Sequence, residues 1–296
     1  MKYKFAIIFL AVFSLLSLHT MNVSAATISA SAESAVSSGD TSIIDVFLNT
    51  EGAVINSIDG SISLSDEHNG NFEIQDISLV NSVFTLWPRK PSLESNGKIS
   101  FIGGVPGGVA GDRLLIFKLV VKINASGKFS VNPNSLSAYV NDGLGTAINI
   151  TKDASIIVVA PSNGESKDKW KEVISNDNVA PEPFTISLVE DPNLFDGRKF
   201  ISFETTDSQS GISYYEVRER GYEAVRSGTT YVLIEQNKSV DVVVTAYDKA
   251  GNFQISTMGG SQPINWLSIL VTLLIIGVVY KLINLVRRKR SIKNAQ

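Results

Sequence analysis

Across residues 27–160 the apolar side chains come in short runs, many of them alternating with polar ones, and turn residues break the runs at short intervals. Successive side chains on a strand point to opposite faces, so a period of two marks a strand with one buried face. Ile62 and Leu64 set against Ser61, Ser63 and Ser65 give the clearest example. Strands are expected on this basis at 27–35, 42–48, 55–65, 72–80, 98–102, 114–123, 127–131, around Ala138 to Val140, and at 148–159. Eight or nine short strands with no convincing amphipathic helix describe an all-β, two-sheet sandwich or jelly roll.

Residues 82–111 carry the densest local information in this region. They combine Phe84 and Trp87, the prolines Pro88 and Pro91, an Asn96-Gly97 turn, a strand at 98–102 and a glycine-rich segment. Asn-Gly between extended runs predicts a hairpin turn, because both residues tolerate positive φ. The glycines and Pro106 between Gly103 and Gly108 are expected to end the strand, since glycine offers nothing to pack and proline donates no ladder hydrogen bond. A phosphate cradle would need Lys and Ser/Thr after the last glycine and then a helix. Here Asp112 and Arg113 follow Gly111, and the next eight residues are an apolar strand run, which argues against a nucleotide site.

Both ends of the chain carry membrane-directed features. Residues 1–26 have a basic start (Lys2, Lys4), an apolar run and small residues at Ser24 to Ala26, the pattern of a secretory signal peptide. Residues 264–286 are largely apolar and are followed at once by Arg287, Arg288, Lys289 and Arg290. As a helix this stretch would reach about 34 Å, enough to cross a bilayer core. Trp266 and Tyr280 suit the interfaces, and the positive-inside rule leaves residues 287–296 as a basic cytoplasmic tail with the remainder extracellular. Two of the 26 Lys+Arg lie in the leader and six from Lys281 onward, leaving 18 against 29 Asp+Glu, a net charge of about −11 for the exported part. An acidic surface argues against nucleic acid and is compatible with calcium. The chain has no cysteine, so an exported fold must hold itself by apolar burial.

Residues 161–180 are polar and charged, as a linker is, although 168–174 would also suit a short helix docking Trp170 and Val173. Residues 181–258 contain six or seven shorter strand signals, expected to form a small sandwich. The pieces Asp207 to Glu216 and Thr245 to Asn252 resemble bacterial surface Ig-like modules.

The first region resembles the cohesin domains. The pieces that carry this, in order, are Ser38-Gly39-Asp40, the run Ile55 to Gly60, the run Ser82 to Trp87, the run Asn96 to Gly104, the turn Gly107 to Gly111, and Asn141 to Thr146. The resemblance implies a jelly-roll cohesin-like β-sandwich and non-catalytic capture of dockerin modules through one sheet face. The chain departs from a scaffold in having a single copy, no dockerin and no cell-wall repeat.

Catalytic readings find little support. Asp59, Asp66, Glu67, Asp76 and Asp142 show no spacing that selects a hydrolytic pair, and His68, the one histidine beyond the leader, has no nucleophile elbow to serve. For calcium, Asp207, Asp248 and Asn252 sit in turns able to converge, although without EF-hand spacing the turn-forming role is the favoured reading of them. For partner binding, Asn56, Asp59, Ser61 and Ser63 form a polar strand face near where cohesins typically meet their partner. Trp87 with Arg89 is either an exposed anchor or, for the Trp, part of the core.

These readings combine into a single-pass surface protein: signal peptide 1–26, cohesin-like sandwich 27–160, linker 161–180, smaller Ig-like β-sandwich 181–258, C-terminal transmembrane helix 264–286 and tail 287–296. The expected function is capture of a dockerin-type protein module at the cell membrane. Direct polysaccharide binding is the first alternative, and adhesion as a stalk without a discrete ligand is the second.

Overall fold

The structure, a computed structural model, describes residues 26–32, 34–66, 71–151, 154–162, 164–236 and 239–259. The expected signal peptide (apart from Ala26), His68, the membrane span 264–286 and the tail 287–296 lie outside the described residues. Among the described residues no helix is long and apolar enough to cross a membrane.

The first region is built from β1 (Ala26–Ala32), β2 (Val36–Ser37), β3 (Thr41–Asn49), β4 (Ile55–Asp66), β5 (Phe72–Ser78), β6 (Leu86–Leu93), β7 (Lys98–Val109), β8 (Leu114–Ile123), β9 (Gly127–Val140), β10 (Ala147–Ile148), β11 (Ile150–Thr151) and β12 (Ser155–Ala160). One sheet has the order β11-β1-β3-β8-β5; the other runs β2-β12-β9-β4-β7-β6, with β10 also paired to β9. Phe101, Ile58, Ile62 and Ile99 from the second sheet and Phe117, Ile44, Leu48, Leu119 and Ile123 from the first are fully buried in one core. Phe101 and Phe117 meet edge to face with ring centroids 5.1 Å apart. The edge strand β6 tolerates Pro88 and Pro91 because only one of its sides needs ladder hydrogen bonds.

The structure corrects the expectation that the glycine-rich segment ends the strand. β7 runs through it to Val109, with Gly104 paired to Ser57 on one side and Leu86 on the other. Glycine is required at 103 because a Cβ there would fall 2.8 Å from the Trp87 ring and 3.0 Å from that of Phe84. The positive φ of Gly107 (83°) and Gly108 (73°) sits where the pairing with β4 shifts register between Ile55 and Ser57. The stretch is a bulged strand, which glycine permits rather than forbids. Likewise 127–131 and 138–140 are two ends of the one strand β9, joined through Pro133 at a register shift against β4.

Helix α1 (Lys169–Asn176) forms in the polar stretch, capped by Asp168, whose carboxylate accepts from the Lys171 amide at 2.9 Å. The segment before it is tied to the first region: Thr41 N donates to Lys167 O at 2.8 Å, and Lys167 N to Asp40 Oδ1 at 2.8 Å.

Seven further strands follow: β13 (Ile186–Val189), β14 (Phe200–Phe203), β15 (Ile212–Glu219), β16 (Val225–Ser227), β17 (Thr230–Val232), β18 (Val242–Asp248) and β19 (Phe253–Met258). They make a three-stranded sheet β13-β14-β17 and a four-stranded sheet β16-β15-β18-β19. Ile201, Val217 and Val244 are fully buried here. By contact density the described chain divides into two compact units, one of residues 26–184, 204–215 and 245–254 and one of 185–203, 216–244 and 255–259. The division falls within β15, β18 and β19.

Because Phe101 has no exposed surface, Phe101→Ala is expected to destabilise the chain by about 3–5 kcal/mol. Urea unfolding should report this as a lower midpoint with an unchanged slope.

Candidate functional site

The inward set of β4 (Ile58, Ile62, Leu64) leaves Ser57, Asp59, Ser61, Ser63 and Ser65 on the outer side of the sheet. Because β4 is flanked by β7 and β9, and β7 by β6, register alone aligns side chains into rows across four strands. One row is Arg89, Ile102, Asp59 and Ser137; the next is Ser92, Ser100 and Ser61; the row on the other side is Leu86, Gly104, Ser57 and Tyr139. Asp59 and Arg89 stand two strand spacings apart, about 10 Å between their Cα atoms.

Around them lies an open depression of ≈ 410 Å³ lined by Asp59, Gly60, Ser61, Arg89, Ser100, Ser135, Leu136 and Ser137. The absence of a side chain at Gly60 lets β9 pass close: a Cβ there would meet the Ser135 carbonyl oxygen at 2.1 Å and Leu136 Cα at 2.8 Å. Beside the depression, at the β6–β7 hairpin, the Glu94 carboxyl is held below its ordinary range. A hydrogen bond from Ser100 is the main cause; desolvation opposes it, and Asn96, Lys98 and Arg89 add smaller lowering effects.

Of the residues expected to bind a partner, the structure gathers Asp59, Ser61 and Arg89 around this depression and leaves three out of it. Asn56 is half-buried and accepts a hydrogen bond from Ser57 Oγ at 3.0 Å. Ser63 reaches toward Asn134 Oδ1 at 3.4 Å. Trp87 is half-buried, edge-on to Phe84 with centroids 5.8 Å apart, and packs on the core. Ser100, Ser135 and Ser137 complete the lining and were not singled out in the sequence. The alternation of Ser135 and Ser137 with buried Leu136 and Ala138 was the available signal.

A second cluster lies within the first unit. Asp177 ends α1, Asp207 stands in the turn between β14 and β15, and Asp248 closes β18. One carboxylate oxygen of each lies within 4.8 Å of the others, and all three residues are buried. At an effective dielectric of about 20, each such pair of charges repels by on the order of 3 kcal/mol. Asn252 holds Asp248, its backbone N–H donating to Oδ1 at 2.8 Å and its Nδ2 to Oδ2 at 2.9 Å. Asp207 and Asp248 therefore come together, Asn252 supports one of them, and Asp177 joins them without having been singled out in the sequence.

The solved structures that this chain resembles are cohesin modules. A non-cellulosomal cohesin from the hyperthermophilic archaeon Archaeoglobus fulgidus aligns with 46% of this chain and 91% of its own, at 17% identity and a TM-score of 0.37. A cohesin module from a Clostridium perfringens family 33 glycoside hydrolase covers 47% of this chain and 99% of its own, at 10% identity and TM-score 0.38. A type I cohesin of Clostridium thermocellum, solved in complex with a dockerin, covers 47% and 95%, at 11% identity and TM-score 0.39. No family model and no curated protein matches the sequence.

Gly60→Ala is expected to destabilise the first sandwich by about 1–3 kcal/mol, because the clash is with backbone that cannot rotate away. Thermal and urea unfolding of the variant beside the parent chain measure it.

Proposed function

We propose that this chain is a non-catalytic recognition protein and that the outer face of the β9-β4-β7-β6 sheet takes up a dockerin-type protein module. The observation that carries the reading is the convergence of Asp59 and Ser61 from β4 and Arg89 from β6 on one open depression. The face around it is mostly serine, with Ile102 and the exposed Leu86 as apolar contacts, and the depression itself is lined by one charge of each sign. A broad polar face fixed by strand register suits a protein partner, which needs several hydrogen bonds and a few anchors rather than a deep cavity. The cohesin resemblance of residues 27–160 supplies the class of partner.

One chemical observation accords with a non-catalytic role. The carboxylates whose pKa is shifted (Glu94, Asp142 and Glu172) are all held low, chiefly by hydrogen bonds from Ser100, Thr146 and Lys169 respectively, whereas a general acid near neutral pH needs a raised value. For direct polysaccharide binding the expected platform would be a row of exposed aromatics. Trp87 packs on the core and Tyr139 stands alone in its row, so the protein-partner reading is the stronger.

The leader at 1–26 and the apolar stretch at 264–286 with its basic flank support display at a cell membrane, outside the cell and anchored by a single span. Tethering would raise the effective concentration of a captured partner near the surface.

Surface plasmon resonance of the folded full chain against dockerin modules from the source genome tests this reading, with soluble polysaccharides in parallel. Asp59→Arg should weaken dockerin binding at least tenfold while leaving the thermal midpoint within a few degrees, because Asp59 is exposed. Unchanged dockerin affinity in the variant, or retention of polysaccharide alone, would contradict it.

A further inference from the structure

The structure assigns Asp177, Asp207 and Asp248 as ligands of one calcium ion, a site independent of the partner-binding face. Three observations carry this. First, the three side chains are 7%, 5% and 2% exposed, and one oxygen of each lies within 4.8 Å of the others. Among the described residues no Lys, Arg or His forms an ion pair with any of them. Lys249, next in sequence to Asp248, turns away to pair with Asp76, its ammonium 4.9 Å from the Trp170 ring centroid. Buried like charges at this spacing need a counter-charge, and a divalent cation supplies it.

Second, Asp207 Oδ2 is buried with no hydrogen-bond partner, whereas Oδ1 accepts from the Gln209 and Gly211 amides at 3.0 and 2.8 Å. Ser210 Oγ, completely buried in the same turn, is likewise unpartnered, and the Ser210 amide donates to Asp177 Oδ2 at 3.0 Å. Of three buried side-chain atoms without a partner among the described residues, two are therefore oxygens of the 207–211 turn that supplies Asp207 to the cluster. Buried oxygens are left bare where an ion takes their lone pairs.

Third, the clustered donors are all oxygen, three carboxylates. That set suits a hard cation, and calcium accepts six to eight such ligands in flexible geometry, where magnesium demands near-octahedral order. Asn252 is a positioning residue: its amide nitrogen reaches Asp248 Oδ2 at 2.9 Å and the backbone carbonyls of Asp177 and Val179 at 3.4 and 3.3 Å. A bound ion would cross-link the end of α1 to the turns at 207–211 and 248–252, all within the first unit.

The full chain, stripped with EGTA and dialysed, is titrated with CaCl2 and with MgCl2 by calorimetry, and its thermal unfolding is followed with and without calcium. The expected result is one calcium per chain, at least tenfold weaker magnesium binding, and a Tm several degrees higher with calcium. Asp207→Asn should lose at least tenfold in calcium affinity, yet in EGTA should unfold no lower than the parent, since it removes one of three clustered like charges. A purely structural turn role predicts instead the same Tm loss with and without calcium. That outcome, or no calcium response in the parent chain, overturns the assignment. If Asp207→Asn does not fold, terbium luminescence on the parent chain decides: emission that calcium abolishes at one equivalent supports the site, and no sensitised emission contradicts it.

Discussion

Phe101 and Phe117 meet edge to face across the first sandwich, each without exposed surface, and most of what the molecule presents to solvent follows from that meeting. An aromatic pair of this geometry contributes about 0.5–1.5 kcal/mol beyond its burial. Its larger effect is on register. With Phe101 inward on β7, Ser100 and Ile102 face outward, and pairing with β4 brings them level with Ser61 and Asp59. A slip of one residue would carry the aromatic ring into water and the serines into the core. The chemistry of the outer face is thus fixed by the apolar chemistry of the inner one.

Glycine allows the same sheet to be both bulged and continuous. Gly103 accommodates the rings of Phe84 and Trp87, and Gly60 allows the Ser135 carbonyl to approach. These positions remove bulk at the two places where neighbouring elements press on the central strands, one of them inside the depression itself. Trp87, drawn onto Gly103, is thereby committed to packing, while Arg89 two residues later remains exposed.

The alternation in β4 was legible because one face is apolar and the other polar, and so was the sandwich it implies. The β6 edge was obscured by Pro88 and Pro91, whose meaning depends on whether a neighbour exists on that side, a tertiary fact. The persistence of β7 through its glycines depended likewise on the rings above it. In the acidic cluster, Asp207 and Asp248 belong to recognisable turns, whereas Asp177 sits in a stretch whose composition reads as a spacer. Only the docking of α1 and its flanks brings that carboxylate to the others. Composition describes a segment's affinity for water, not the place to which the chain carries it.

The outer β9-β4-β7-β6 face is proposed as the seat of a protein partner, and its residues can be followed one by one. Chemical-shift mapping of the isotope-labelled full chain with a saturating dockerin module addresses it most directly. The account predicts perturbations concentrated at Ser57, Asp59, Ser61, Arg89, Ser100, Ile102 and Ser137, with the opposite sheet unchanged. Perturbations confined to the β11-β1-β3-β8-β5 sheet, or none at saturating concentration, would contradict it.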